Sequence, residues 1–316
     1  MSEPILSVRN LRRWFPVPGA FGRRVGWVKA LDDVSVDLMP GEILGLVGES
    51  GCGKSTLGKT IMGIHPPQAG EIWFEGRNIA GLSRAAARPH RRHLQYSYQD
   101  PGASLDPRWK IGRSLEEPLV IHGVTDPAER QRRVAEILKA VGLPASHLDL
   151  YPHEISGGQQ RRVGLARILT LHPRVVILDE PTSGLDVSVQ ATVLSLFRDL
   201  RDAFDLTYIF VSHDLAVVEM MCTRVAVMYL GRIVEIGPTA EVFARPRHPY
   251  TRSLLAAIPK IGGARITRDF WLTGEPPDAA KLPEGCRFRP RCPKADSRCL
   301  AVEPALADGV ACHHPG

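Results

Sequence analysis

The sequence predicts an α/β fold built around a parallel sheet, and two observations carry that reading. Short apolar runs bounded by polar residues recur at Glu42–Val47, Val175–Leu178 and Tyr208–Val211, as expected of strands buried on both faces. The first of them leads straight into Gly48-Glu49-Ser50-Gly51-Cys52-Gly53-Lys54-Ser55, which fits the strand–loop–helix pattern G-x-x-x-x-G-K-[ST].

Taken in order, Ile5–Leu11 alternates and reads as a strand, residues 16–26 are rich in Pro and Gly and read as a loop, and Val34–Leu38 alternates again. Pro40-Gly41 turns the chain into the run before the glycine loop, and Thr56–Gly63 has helical character. From about residue 84 to 154 the texture is that of an inserted, mainly helical subdomain. Arg and Ala rise there, and Val134, Ile137, Leu138 and Val141 recur at helical spacing. Val225–Met228 and Ile233–Ile236, separated by Tyr229–Arg232, predict a hairpin. Beyond about residue 245 the chain becomes rich in Pro, Cys and His. This places a main domain over 1–245 and a small appended one over 246–316.

Composition is that of an ordinary globular protein: 316 residues, 44% hydrophobic, 23% charged, with a formal charge of +6. The arginines are scattered and aromatics are only 6%, with no aromatic–basic interleaving, so no nucleic-acid partner is expected. No stretch approaches the roughly 18 apolar residues of a membrane span, and the N-terminus lacks a signal pattern. A cytoplasmic chain is expected, reaching any membrane through a partner.

The glycine loop turns backbone N–H groups inward on phosphate oxygens, and the following helix adds its positive end. Lys54 is placed to neutralise the β- and γ-phosphates, and Ser55 to ligate Mg²⁺, with Thr56 closing the loop. The Val175–Leu178 strand ends in Asp179 and Glu180. The first suits a water-mediated Mg²⁺ contact and the second the attacking water. His213 follows the Tyr208–Val211 strand, where open α/β sheets gather their ligands. Far downstream of the first cradle, Ser156-Gly157-Gly158-Gln159 makes a second one of different design. One ATP needs one phosphate cradle. The second therefore points to a nucleotide held mainly by another polypeptide, in a dimer closed by ATP.

Together with Gln99 and Ser183-Gly184-Leu185-Asp186, these segments resemble the ordered motif set of an ABC-transporter ATPase subunit across about residues 5–240. In that family's terms they are the Walker A loop, Q-loop (Gln99), signature, Walker B with catalytic Glu180, D-loop (Asp186) and H-loop (His213). Ile155 stands where the family usually has Leu. The resemblance implies a P-loop, RecA-like core with an N-terminal antiparallel β region and a helical subdomain. It implies Mg²⁺ held through Ser55, Gln99 and Asp179, and an aromatic on adenine, for which Trp14, Phe15 and Trp27 are candidates.

Gln99–Arg108, Arg247–Thr251 and the cysteine-rich tail are similar to subunits of oligopeptide and dipeptide importers. That subfamily implies a second ATPase subunit, two membrane permease subunits and an extracytoplasmic substrate-binding protein, with the chain peripheral on the cytoplasmic face of the cell membrane. Gln99–Arg108 is the expected contact with a permease helix. The subfamily also contains nickel, glutathione and oligosaccharide systems. A non-transport ABC ATPase acting on nucleic acid is the rival reading.

Cys286, Cys292, Cys299 and Cys312 crowd the tail. Four thiolates in one short segment suit a zinc ion or an iron–sulfur cluster. The segment lacks the C-x₂₋₄-C pairs usual for structural zinc, and the subfamily resemblance favours [4Fe–4S] over Zn²⁺. Arg287, Arg289 and Arg291 interleave with the cysteines and are expected to offset cluster charge. His313 and His314 read as surface residues, with competition as ligands for a small ion as the alternative.

Overall fold

The computed structural model describes residues 3–19, 23–98, 102–257 and 274–316. In chain order its elements begin with β1 (Leu6–Pro18), β2 (Arg24–Leu38), β3 (Ile43–Val47), α1 (Lys54–Ile61), β4 (Ala69–Phe74) and β5 (Arg77–Asn78). Then come α2 (Arg84–His93), β6 (Leu94–Ser97), α3 (Ile111–Ile121), α4 (Pro127–Ala140) and α5 (Gly157–Leu169). They are followed by β7 (Val175–Asp179), α6 (Val187–Phe204), β8 (Thr207–Val211), α7 (Leu215–Met221), β9 (Arg224–Tyr229) and β10 (Arg232–Pro238). The last are α8 (Thr239–Ala244), α9 (Pro249–Ala256) and α10 (Ser297–Ala301). The chain forms two compact units, Met1–Gly81 with Phe210–Gly316, and Leu82–Ile209.

In the first unit, β1 pairs antiparallel with both β2 and β4, and β5 continues from β4. Leu6, Val8 and Leu11 of β1 and Leu31, Val34 and Leu38 of β2 are buried, as the alternation predicts. The loop expected over 16–26 is shorter than that. Strand pairing runs out through Pro16↔Trp27 and Val17↔Gly26. β4 leaves β1 at Arg12↔Ala69; beyond that point, among the described residues, no strand pairs with β1 on that side, and the Gln68 side chain meets the Trp14 backbone instead. A proline needs no ladder partner there, which is why a Pro-rich stretch remains strand.

β3 pairs parallel with β9, and β9 antiparallel with β10 in the expected hairpin. The C-terminal tail then closes on β10. The Ile236 N–H donates to Gly309 O at 2.8 Å and the Ala311 N–H to Val234 O at 2.8 Å, with a bridge at Glu235↔Val310.

In the second unit, β6 pairs parallel with β7, Leu94 facing Val175 and Tyr96 facing Ile177. β6 is a strand inside a stretch whose composition reads as helical. All five residues of β7 are buried. α4 begins with Asp126, whose side chain caps the Ala128 N–H at 3.0 Å, and with Pro127 in its first turn. Its buried face is Val134, Ile137 and Leu138, at the spacing that the sequence shows. Among the described residues no helix is long and apolar enough to cross a membrane.

Candidate active site

The phosphate loop lies in the first unit between β3 and α1. Gly48 (φ +149°) and Gly53 (φ +113°) are obligatory there on steric grounds. A Cβ on Gly48 would lie 2.2 Å from Met228 O, and one on Gly53 would lie 2.3 Å from Ala30 O. The loop is thus pressed against the backbones of β2 and β9. Gly53 opens α1 with no side-chain cap and no acidic residue in the first turn, so the helix's own sequence leaves its positive end uncompensated. Cys52 is buried, and its Sγ would lie 2.8 Å from a Cβ on Gly48, a second reason for glycine there.

Lys54 is only 5% exposed. Its ammonium donates to Gly48 O at 2.7 Å and to Glu49 O at 3.0 Å, so carbonyls of its own loop hold the charge that phosphate oxygens would take over. Ser50 and Gly51 are exposed, and Ser55 and Thr56 are half-buried in the first turn of α1. His213 is exposed just past β8. Its neighbour is anchored beside the loop, the Ser212 N–H donating to Leu46 O at 3.2 Å.

Two contacts to Glu49 were not legible in the sequence. Tyr250 Oη accepts the Glu49 N–H at 2.8 Å, and Arg291 grips the Glu49 carboxylate with both terminal nitrogens, at 2.7 and 2.9 Å.

The second unit carries the paired acids. Asp179 ends β7, is 6% exposed, and accepts a hydrogen bond from the Tyr96 hydroxyl. Burial, and then that carboxylate, push the Tyr96 phenol well above its ordinary value, so it stays a donor. Tyr96 lies on β6, and its role follows only from strand pairing. Glu180 takes a left-handed backbone, φ +49°, and its carbonyl accepts the Ser183 N–H at 3.1 Å, which turns the chain sharply after β7.

Ser156 is the N-cap of α5. Its hydroxyl accepts the Gln159 N–H at 3.3 Å, and Gln159 Oε1 accepts the Ser156 N–H at 2.9 Å, a reciprocal capping box. Ser156, Gly157 and Gly158 are exposed, and a Cβ on either glycine would meet nothing within 4 Å. The segment expected to be the second cradle is an exposed helix start whose first turn is closed by its own capping box. Asp186 caps α6 in the same way, accepting from Val189 N at 2.9 Å. Gln99 lies outside the described residues.

The four tail cysteines lie in the first unit, Cys299 buried and Cys286, Cys292 and Cys312 half-buried. Burial pushes the Cys286 thiol up to about 11, and the neighbouring Cys299 adds to the rise. Cys299 likewise lies close enough to raise Cys292 and Cys312, whose leading cause is again burial. Among the described residues, one group of potential ligand atoms falls within 4.8 Å of one another: Asp296, Cys299 and His314.

The interleaved arginines do not serve the sulfurs in the way the sequence suggests. Arg287 donates to Leu230 O at 2.6 Å, to Glu303 at 3.0 Å and to Asp32. Arg291 pairs with Glu49, and Arg289 donates to Glu284 O at 2.9 Å. Carboxylates at fixed distance take two of these cations. Of the aromatics considered for adenine, Phe15 packs edge-on to His65 under Arg13, while Trp14 and Trp27 tilt together at 6.4 Å with Lys29 over Trp14.

Comparison with known proteins agrees with this geometry. A family model described as ABC transporter matches residues 31–183, and one described as oligopeptide/dipeptide transporter, C-terminal region, matches 234–299. The chain is 45% identical to the oligopeptide transport ATP-binding protein AppF of Bacillus subtilis, over 98% of this chain and 97% of that one. It is 45% identical to the dipeptide transport ATP-binding protein DppF of Haemophilus influenzae, over 99% and 97%. Its fold matches a dimeric ATP-binding cassette with bound ADP and phosphate at a TM-score of 0.65, with 26% identity over 74% of this chain and 98% of that one. The two family models and the full-length similarity to transport ATP-binding proteins show that the chain belongs to the ABC transporter ATPase family and carries the oligopeptide/dipeptide transporter C-terminal region.

Proposed function

We propose that this chain hydrolyses ATP to energise the import of di- or oligopeptides, as one of two facing ATPase subunits. The observation that carries the reading is the pair of phosphate cradles. One is built around a buried Lys54, and the other is presented on an exposed helix start at Ser156–Gln159. The dimeric architecture of a solved structural neighbour supports facing subunits. The names of the full-length relatives support peptides ahead of nickel, glutathione or oligosaccharides as cargo. In this reading residues 1–245 form the ATPase domain and 246–316 a subfamily domain.

Backbone N–H groups of Gly48–Thr56 and the start of α1 bind the phosphates, and Lys54 leaves the Gly48 and Glu49 carbonyls to meet them. Ser55, Gln99 and Asp179 offer hard oxygen donors that would hold Mg²⁺, and the ion would supply positive charge to the phosphates. Tyr96 fixes the Asp179 carboxylate for that task. Glu180 orients and deprotonates the attacking water, with His213 beside the γ-phosphate. Ser156–Gln159 and Asp186 serve the nucleotide in the partner's phosphate loop. Closing and reopening then drive two permease subunits, supplied by an extracytoplasmic binding protein.

A groove of about 840 Å³ in the second unit, lined by Trp109, Arg113, Glu116, Val120 and Ile121, follows directly on the Gln99–Arg108 segment and suits a permease helix. This would hold the chain at the cytoplasmic face of the membrane.

The four cysteines are read as ligands of a [4Fe–4S] cluster. The support for this reading is the subfamily resemblance and the spacing of the four cysteines, while the group Asp296, Cys299 and His314, found among the described residues, is what a small ion would use instead. In this tail the cluster would tie distant turns together.

The test of the ATPase reading is Glu180→Gln in the reconstituted transporter. MgATP binding should persist, turnover should stop, and the dimer should be trapped closed. Turnover at the native rate in that variant would refute the assignment.

A further inference from the structure

Glu49 occupies a position of the phosphate loop where the pattern accepts any residue, yet the fold fixes it at every polar group. Its carbonyl holds Lys54 at 3.0 Å, its N–H is held by Tyr250 Oη at 2.8 Å, and its carboxylate by both terminal nitrogens of Arg291. Tyr250 is completely buried and the Arg291 side chain is 4% exposed. Both belong to the region after the hairpin, Tyr250 on α9 and Arg291 next to Cys292. Tyr250, Tyr229 and Phe288 pack ring against ring, with centroids 4.7 to 5.6 Å apart, and stiffen the platform from which both contacts are made.

A carboxylate inside a phosphate loop is an electrostatic liability, since it repels the polyanion that the loop must hold. Arg291 removes that repulsion with a bidentate pair, the strongest geometry available to it. The same pair fixes the turn whose carbonyls hold the resting Lys54.

We infer that Arg291, together with Tyr250, is a positioning residue for ATP binding: the C-terminal region pins and neutralises Glu49, and thereby sets the phosphate loop and Lys54. This rests on the phosphate loop being the ATP site and is independent of what the cysteines hold. It also gives the C-terminal region a route to the ATP site within one chain, because residues 287 and 291 are anchored on β2 and on the loop while their neighbours 286 and 292 are cysteines.

The test is MgATP binding by calorimetry to the purified full chain, with hydrogen exchange of the amides of residues 48–54. Arg291→Met leaves the Glu49 carboxylate unpaired and is expected to weaken MgATP binding about tenfold, with faster exchange in the loop. Adding Glu49→Gln removes the repulsion and should recover most of that loss. A purely structural role for Arg291 would not give this rescue. Tyr250→Phe, which removes one hydroxyl, should speed exchange at residue 49 with the fold intact. Should Arg291→Met fail to fold, Glu49→Gln alone serves, since it loosens the pair from the other side and should speed exchange over 48–54. Native affinity in Arg291→Met, no rescue by Glu49→Gln, or unchanged loop exchange in Tyr250→Phe or Glu49→Gln would each overturn the inference. Loss of MgATP binding in Lys54→Ala tests the underlying ATP site separately. If Lys54→Ala binds normally, the site assignment fails and not only the role of Arg291.

Discussion

Replacing Arg287 by Met should destabilise the first unit by about 3–5 kcal/mol at neutral pH, and the penalty should shrink on acidification. The magnitude follows from the burial of the pair. The side chains of Arg287 and Asp32 are 6% and 9% exposed, and the guanidinium also satisfies Leu230 O at 2.6 Å. Methionine fills similar volume but leaves the buried Asp32 carboxylate without its ion pair, held only by the Trp14 indole N–H at 3.2 Å. The Glu303 contact, with its carboxylate 28% exposed, adds little. For a unit of this size the expected fall in Tm is roughly 10 °C.

The pH dependence has a definite sign. Burial pushes the Asp32 carboxyl up, but the hydrogen bond and charge of Arg287 more than offset this and hold it below 3.8. In the native chain that stabilisation is present above the unfolded value and lost as pH falls through the lower folded one. Without Arg287 the effect of burial is opposed only by Lys29, Arg232 and the Trp14 donor, so the folded value moves upward. The variant's deficit is then full at pH 7 to 8 and declines as the carboxylate takes up a proton. Thermal denaturation of Arg287→Met and of Arg287→Met/Asp32→Asn from pH 5 to 8 measures this. A deficit that is flat with pH and unrelieved by Asp32→Asn would refute the reasoning.

Other outcomes follow from the same structure. Ser156→Arg should abolish hydrolysis by the assembled dimer while the chain's own phosphate loop binds nucleotide normally, and full-rate hydrolysis by a purified monomer would sink the split-site reading. Tyr96→Phe removes the donor to Asp179 and should raise the Mg²⁺ concentration needed for hydrolysis by roughly tenfold. An unchanged Mg²⁺ requirement would count against that role. After anaerobic purification the chain should carry about four iron and four sulfide, and Cys299→Ser should lose them. Stoichiometric zinc without sulfide would replace the cluster with an ion.

The parts of the molecule legible in the sequence are those whose signal is local. The strand into Gly48–Ser55, the buried runs that became β7 and β8, the apolar stripe of α4 and the β9–β10 hairpin each lie within one short window. What the sequence hid depends on pairing at a distance. The strand character of Pro16–Pro18 comes from β2, since composition alone reads as loop. Tyr96 matters because β6 lies alongside β7. Arg291 reads as a counter-charge for its cysteine neighbours. The fold instead sends it to a glutamate 242 positions away, which no window of sequence contains.

The tail that closes on β10 has a consequence for how far this chain can be shortened. β10 ends its sheet, and Ile233, Val234 and Ile236 would give it an apolar open margin. The backbone of residues 309–311 occupies that margin, as a short supplementary strand would. Removing the last ten residues would therefore do more than delete a cysteine. It would uncover a row of hydrogen-bonding groups able to recruit a second copy of the chain, so the truncated protein should self-associate, and its solubility reports on the seal.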